Sequence, residues 1–212
     1  MKNDKYIDIS FPFYDGIAIY PNNPQYTCQR ISDMQNGDSC NVSQITLGTH
    51  TGTHLDAPLH FIKDGMTIDE IPLEQINGKA KVLDIEEQVI TSTCLSRYLI
   101  EKDDIILFRT SNSSVYEGNK VLDVYVTLDY GAAQYLVEKE VKMVGIDYMT
   151  IERPKAMREQ GKSIHRILLG EGIPVLETLD LRKVSEGEYT LFCFPLKLVG
   201  CDGSPVRAVL VY

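Results

Sequence analysis

Eight short runs that are apolar throughout or alternate apolar with polar constrain this chain most: YIDIS (6–10), SQITLG (43–48), KAKVLDI (79–85), DIILFRT (104–110), VKMVGID (141–147), IPVLE (173–177), YTLFCFPLKLV (189–199) and VRAVLVY (206–212). Alternation with period two and β-branched or aromatic content predict a strand for each. Between them lie three segments with helical spacing of apolar residues, STCLSRYLIEK (92–102), DYGAAQYLVEKE (129–140) and SIHRILL (163–169), opened by Ser92 or Thr93, Asp129 and Ser163 as N-caps. Strands interleaved with helices give a mixed α/β class. YPNNPQ (20–25), SNSSVYEGN (111–119) and CDGSP (201–205) read as turns, because Asn, Gly, Pro and Ser supply or fix unusual backbone angles. No linker or repeat divides the 212 residues, so one domain spanning 1–212 is expected.

Charge and apolar content narrow the function. A net charge of -9 repels a phosphate backbone, which needs Lys and Arg to displace its counterions, so nucleic acid is not an expected partner. The opening MKNDKYIDIS lacks the apolar stretch of a signal peptide, and no run approaches the roughly 18 apolar residues of a membrane span. A cytoplasmic protein without a membrane partner is expected. Cys28, Cys40, Cys94, Cys193 and Cys201 form neither a CxxC pair nor an even framework, which fits a reducing compartment. Cys193, inside an apolar run, reads as a buried inert thiol.

Three of the four histidines fall within His50-Thr-Gly-Thr-His54-Leu-Asp56-Ala-Pro-Leu-His60. A lone histidine is more often satisfied by ordinary hydrogen bonds. Imidazole nitrogens clustered with a carboxylate suit Zn²⁺, Mn²⁺ or Fe²⁺, and two His with one Asp leave coordination positions open, as catalysis requires. His50 and His54 have the i, i+4 spacing of a helical HExxH motif. Thr follows His50, however, and Thr49, Thr51, Thr53, Gly52 and Pro58 all disfavour a helix interior. A strand running into a loop is expected, with the even-numbered positions on one side.

The segment HTGTHLDAPLHF resembles the signature H-x-G-T-H-x-D-x-P-x-H-F of the cyclase-like metal hydrolases, the family that contains bacterial kynurenine formamidase and isatin hydrolase. The similarity extends through DGMTIDEIPLEQINGKAKVLDI, VGIDY (144–148), HRILLGEGIPVLETL (165–179) and FPLKLVGCDGSPVRAV. The resemblance implies that His50, His54 and Asp56 hold one metal, that Asp56 bridges to a second, and that His165 and Glu177 complete the site. His60 is then the acid/base. Glu171 competes with Glu177 as the acidic ligand, but it sits between Gly170 and Gly172 in an expected turn, whereas Glu177 ends an apolar run where a metal would supply its partner. Two Zn²⁺ per subunit, or Mn²⁺, are the implied cofactors.

The implied reaction is hydrolysis of a small-molecule amide, either an aryl formamide such as N-formyl-kynurenine or a cyclic amide such as isatin. Cyclisation, dehydration or lactone hydrolysis by the same groups, and non-enzymatic metal binding, are the alternatives. The chain departs from the formamidase pattern: Tyr20-Pro21-Asn22-Asn23 stands where those enzymes carry a W-P-G-D-like segment. Tyr20 either offers an aromatic face to the substrate or packs beside Pro21. Tyr148 and Met149 are further departures, and Asp147 reads as a hydrogen-bonded structural carboxylate. The resemblance also implies a swivelling β/β/α fold with a mixed sheet and flanking helices, assembled as a homodimer or homotetramer, in which Tyr20 acts either within its own chain or across the subunit boundary.

Overall fold

The computed structural model describes residues 6–115, 117–153 and 163–212. The opening MKNDK and Tyr116 of the SNSSVYEGN turn lie outside the described residues. In chain order the strands are β1 (Tyr6–Asp8), β2 (Thr27–Ser32), β3 (Val42–Thr46), β4 (His54–Asp56), β5 (Gly78–Asp84), β6 (Val89–Ile90), β7 (Ile105–Arg109), β8 (Thr127–Leu128), β9 (Met143–Ile146), β10 (Val175–Glu177), β11 (Gly187–Pro195) and β12 (Gly203–Val211). The helices are α1 (Leu73–Ile76), α2 (Ser92–Leu95), α3 (Asn112–Val115), α4 (Tyr130–Glu138) and α5 (Ile164–Gly170).

All eight expected runs contain a strand. The main sheet has the order β1-β12-β11-β5-β7-β9-β10-β4, and β4 pairs a second time with β12, so the sheet closes on itself. β5, β7, β9 and β10 run parallel, while β4, β11 and β12 join antiparallel. The mixed sheet and flanking helices agree with the α/β fold that the resemblance implies.

Alternation along β7 builds the two apolar layers. Ile105 and Leu107 point into one core with Ala80, Val82, Leu55, Leu191 and Leu210; Ile106 and Phe108 point into the other, under α2, α4 and α5. Each such fully buried side chain contributes roughly 1.5–3 kcal/mol relative to exposure. Gly145 in β9 is required by this packing, since a Cβ there would lie 2.7 Å from Leu107 Cδ2 and 3.0 Å from Leu179 Cδ1.

Asp129 and Ser163 cap α4 and α5 as the sequence predicts, accepting from the Ala132 and Arg166 amides. The segment 92–102 does not form the expected long helix. Thr91, rather than Ser92 or Thr93, is the cap, and only one turn forms. Ser96 Oγ donates to the Thr93 carbonyl at 2.9 Å, and the Tyr98 hydroxyl bonds the Asp84 carbonyl, so side-chain bonds to backbone hold a compact turn instead. The strand β2, with Cys28, Gln29, Arg30 and Ile31, shows no apolar alternation and was not legible. It pairs with β3 as a ribbon outside the main sheet, both strands largely exposed.

Candidate metal centre and active site

The segment 50–60 adopts the strand-and-loop course expected for it. His50 lies in a turn, Gly52 takes φ +61°, His54–Asp56 is β4, and Pro58–His60 is a single 3-10 turn. A Cβ on Gly52 would fall 2.9 Å from Phe13 Cε1, which makes glycine necessary there on both grounds. His60 therefore reaches the site by a turn rather than by extended alternation. β4 is the keystone, because its register sets His54 opposite Glu177 on β10 and Asp56 opposite Gly203 on β12. Leu55 between them faces the core. His165 arrives from the first turn of α5, which links β9 to β10 around the outside of the sheet.

These side chains converge and are buried. His54 Nε2 is 3.3 Å from Asp56 Oδ1 and 3.5 Å from Glu177 Oε2. His165 Nε2 is 3.1 Å from Glu177 Oε1 and 3.5 Å from Asp56 Oδ2, and His50 Nδ1 is 2.7 Å from Asp56 Oδ1. His54 Nδ1 donates to the Gly52 carbonyl at 2.8 Å, which turns Nε2 towards the carboxylates, the usual arrangement behind a ligating imidazole. Glu177 is fixed by the Ile151 amide, which donates to Oε1 at 2.7 Å. The next residue, Thr178, holds φ +58°, an uncommon conformation for a β-branched residue. Its amide donates to the Tyr148 carbonyl and its carbonyl accepts from Thr53 Oγ1, so neighbouring strands enforce the turn that aims Glu177.

The donor chemistry fits a divalent metal. His50, His54 and Asp56 form one potential ligand group, and Asp56, His165 and Glu177 a second, with Asp56 shared. Asp56 Oδ2 is buried and has no hydrogen-bond partner among the described residues. A buried carboxylate oxygen in that state is costly unless a cation meets it. Burial opposes charge on His54 and His165, yet the carboxylates of Asp56 and Glu177 beside the first, and of Glu152 and Glu177 beside the second, push both up to about 10. Carboxylates this demanding of positive charge take either imidazole protons or a metal ion in their place.

Where the sequence left Glu171 and Glu177 in competition, Glu171 is exposed beyond α5 and Glu177 is buried in the site. Asp147 is the structural carboxylate expected. It is fully buried and accepts from the Thr110 amide and hydroxyl and from the Ser113 amide and hydroxyl, while burial pushes its pKa up to about 6. Cys193 is buried and inert, its thiol pushed up to about 12 by burial, and among the described residues all five cysteines are free.

His60 stands beside this cluster, its ring stacked on His50 at 3.9 Å between centroids and half-exposed to a cavity of about 290 Å³. Tyr20, Phe61 and Met149 line the same cavity. Phe61 stacks on His165 at 4.5 Å with the planes 5° apart. Tyr20 also packs against the cluster of Phe11, Tyr148 and Met149.

Two residues escaped the sequence reading. Glu152 receives the Ser163 hydroxyl and the Ile164 and His165 amides, tying the start of α5 to the site. Asp202 contacts both His50 and His60; it stands in a bend just before β12, since residues 203–205 of the expected CDGSP turn pair with β4 as strand. Nothing in its local sequence distinguishes it from an ordinary turn aspartate.

The sequence pattern of the cyclase family matches residues 7–153, which contain His50, His54, Asp56 and His60. The chain belongs to the cyclase family. Among curated relatives, the kynurenine formamidase of Bacillus mycoides (strain KBAB4) is 33% identical over 211 residues, 99% of each chain. A predicted metal-dependent hydrolase from Bacillus stearothermophilus is 34% identical, with a TM-score of 0.82 and 97% of both chains covered. Isatin hydrolase A from Labrenzia aggregata superposes with a TM-score of 0.84 over 97% of this chain and 92% of its own, at 22% identity, a likeness of fold.

Proposed function

We propose that this family member is a metal-dependent amidohydrolase that cleaves a small aryl formamide of the N-formyl-kynurenine kind. The observation that carries the reading is Asp56, shared between two ligand groups and left with a buried oxygen that has no hydrogen bond among the described residues, beside a partly exposed histidine that lines the cavity. His50, His54 and Asp56 would hold one ion, and Asp56, His165 and Glu177 a second. Zn²⁺ fits this mixed nitrogen and oxygen set, and Mn²⁺ is the alternative. When bound, such ions supply Lewis acidity, which makes water nucleophilic near neutral pH and polarises a carbonyl.

The chain's own residues do the rest. His60 takes the proton of the attacking water and returns it to the departing arylamine. Tyr20, Phe61 and Met149 wall the cavity and take the aryl ring. A homodimer or homotetramer is supported by the exposed β2–β3 ribbon, whose Ile31, Val42 and Ile45 face outward, while Tyr20 lines the cavity of its own chain. A single domain over 1–212 is supported by the sheet, whose strands come from both ends of the chain. No helix among the described residues is long and apolar enough to cross a membrane. A cytoplasmic location is supported by the free thiols.

The test is hydrolysis of N-formyl-kynurenine by chelated protein, then after separate addition of Zn²⁺ and Mn²⁺, with isatin and a lactone assayed alongside. Turnover restored by metal and lost in His60→Ala is the expected result. A fully metallated protein inert towards N-formyl-kynurenine overturns the substrate assignment.

A further inference from the structure

The geometry points to Asp202 as a positioning residue that sets the orientation and proton placement of His60 and His50 together, an inference that rests on the amide-hydrolase reading. Its Oδ2 lies 2.9 Å from His50 Nε2 and 3.4 Å from His60 Nδ1, while Oδ1 accepts from Thr49 Oγ1 at 3.0 Å. The two imidazoles lie face to face, 3.9 Å between centroids and 30° between planes, with one nitrogen of each turned to the same carboxylate.

The carboxylate is held by the strand ladder that holds the proposed ligands. The Asp202 carbonyl accepts from the Ala57 amide at 2.9 Å, and Gly203, its neighbour, pairs with Asp56. A side chain at 203 would meet His50 Cε1 at 2.8 Å and the Leu55 carbonyl at 2.9 Å, so glycine there lets the His50 ring lie against the strand beside Asp202.

A neutral imidazole donates from one nitrogen and accepts at the other, and a hydrogen-bonded carboxylate decides which is which. With Nδ1–H turned to Asp202, His60 keeps Nε2 bare, the state a base requires. With Nε2–H turned to Asp202, the other nitrogen of His50, Nδ1, faces Asp56 at 2.7 Å and is the one that would bind a metal ion in place of a proton. The 3.4 Å contact to His60 exceeds the ordinary 2.7–3.2 Å range, and such contacts shorten as a substrate complex forms.

Zn²⁺-loaded Asp202→Ala tests this. Expected are retained zinc and melting temperature, a kcat lower by roughly 10–100-fold with KM within about twofold, and partial recovery in Asp202→Glu. In a His60→Ala background the same change lowers the rate by less than it does in the parent chain, the remainder acting through His50. Nitrogen NMR of the Zn²⁺-loaded protein without substrate shows His60 as the Nδ1–H tautomer in the parent chain, a preference lost in Asp202→Ala. Wild-type kcat in Asp202→Ala, an Nε2–H tautomer in the parent, zinc lost from both Asp202 variants, or an additive loss with His60→Ala each overturns the assignment. If the parent chain leaves N-formyl-kynurenine intact, the substrate reading fails and the NMR result still decides the role of Asp202.

Discussion

The β4–β10–β12 corner and the β2–β3 ribbon are both short pieces of antiparallel sheet, and their side chains meet opposite fates. In β4 all three residues are buried, two of them polar, and each polar atom is tied to a neighbour or aimed at the proposed metal position. In the ribbon almost every residue is exposed, including the apolar Ile31, Val42 and Ile45. A two-stranded ribbon is marginal by itself. The corner carries its chemistry within one chain, whereas the ribbon presents apolar surface that another body would cover.

The largest expected effect falls on the corner. Asp56→Ala removes the group shared by both ligand sets, so metal content measured by elemental analysis falls and turnover drops by about 10³-fold or more, since metal Lewis acidity contributes several kcal/mol to the transition state. An active, metal-replete Asp56→Ala protein would break the contrast at its strong end.

Stability against pH sharpens it. In chelated protein His54 and His165 are pushed up to about 10, above an unfolded value of about 6.5. Their stabilisation is fully present below about pH 6.5 and is lost as pH rises through about 10, so the melting temperature of metal-free protein falls across that window. In metal-loaded protein the imidazoles carry no such proton, the melting temperature holds over the same window, and it falls on acidification instead. Parallel curves for the two forms would count against these histidines as ligands.

Two smaller effects probe the ribbon and the cavity wall. Ile31→Asp with Ile45→Asp leaves the subunit fold intact, since exposed substitutions usually change stability within about 0.5 kcal/mol. It shifts the mass seen by light scattering towards the monomer. Tyr20→Ala raises KM roughly 2–10-fold with kcat little changed, matching an aromatic contact of about 0.5–1.5 kcal/mol. An unchanged KM assigns Tyr20 to packing rather than to substrate contact.

Much of this was legible because local signals agreed. The strand runs are apolar throughout or alternate with period two, Asp129 and Ser163 announce their helices, and Gly52 and Pro58 rule out a helical His50–His54 pair. Glu177 was separable from Glu171 because burial at the end of an apolar run demands a partner. What stayed hidden depends on distant contacts. The 92–102 segment has helical spacing, but Ser96 and Tyr98 prefer bonds to backbone carbonyls. The strand β2 has no apolar alternation to read. Asp202 gains its meaning only because β12 folds against β4, which no window of sequence reports.

That closure of β12 onto β4 bears on the order of assembly. His50 and Asp202 are 152 residues apart, and the strands carrying or flanking them meet only once nearly all of the intervening chain has been arranged. Joining such distant segments carries a loop-closure entropy and slows folding relative to local pairing. Metal capture is then a late event in maturation, and lesions along β12, remote in sequence from every proposed ligand, will surface as poor metallation.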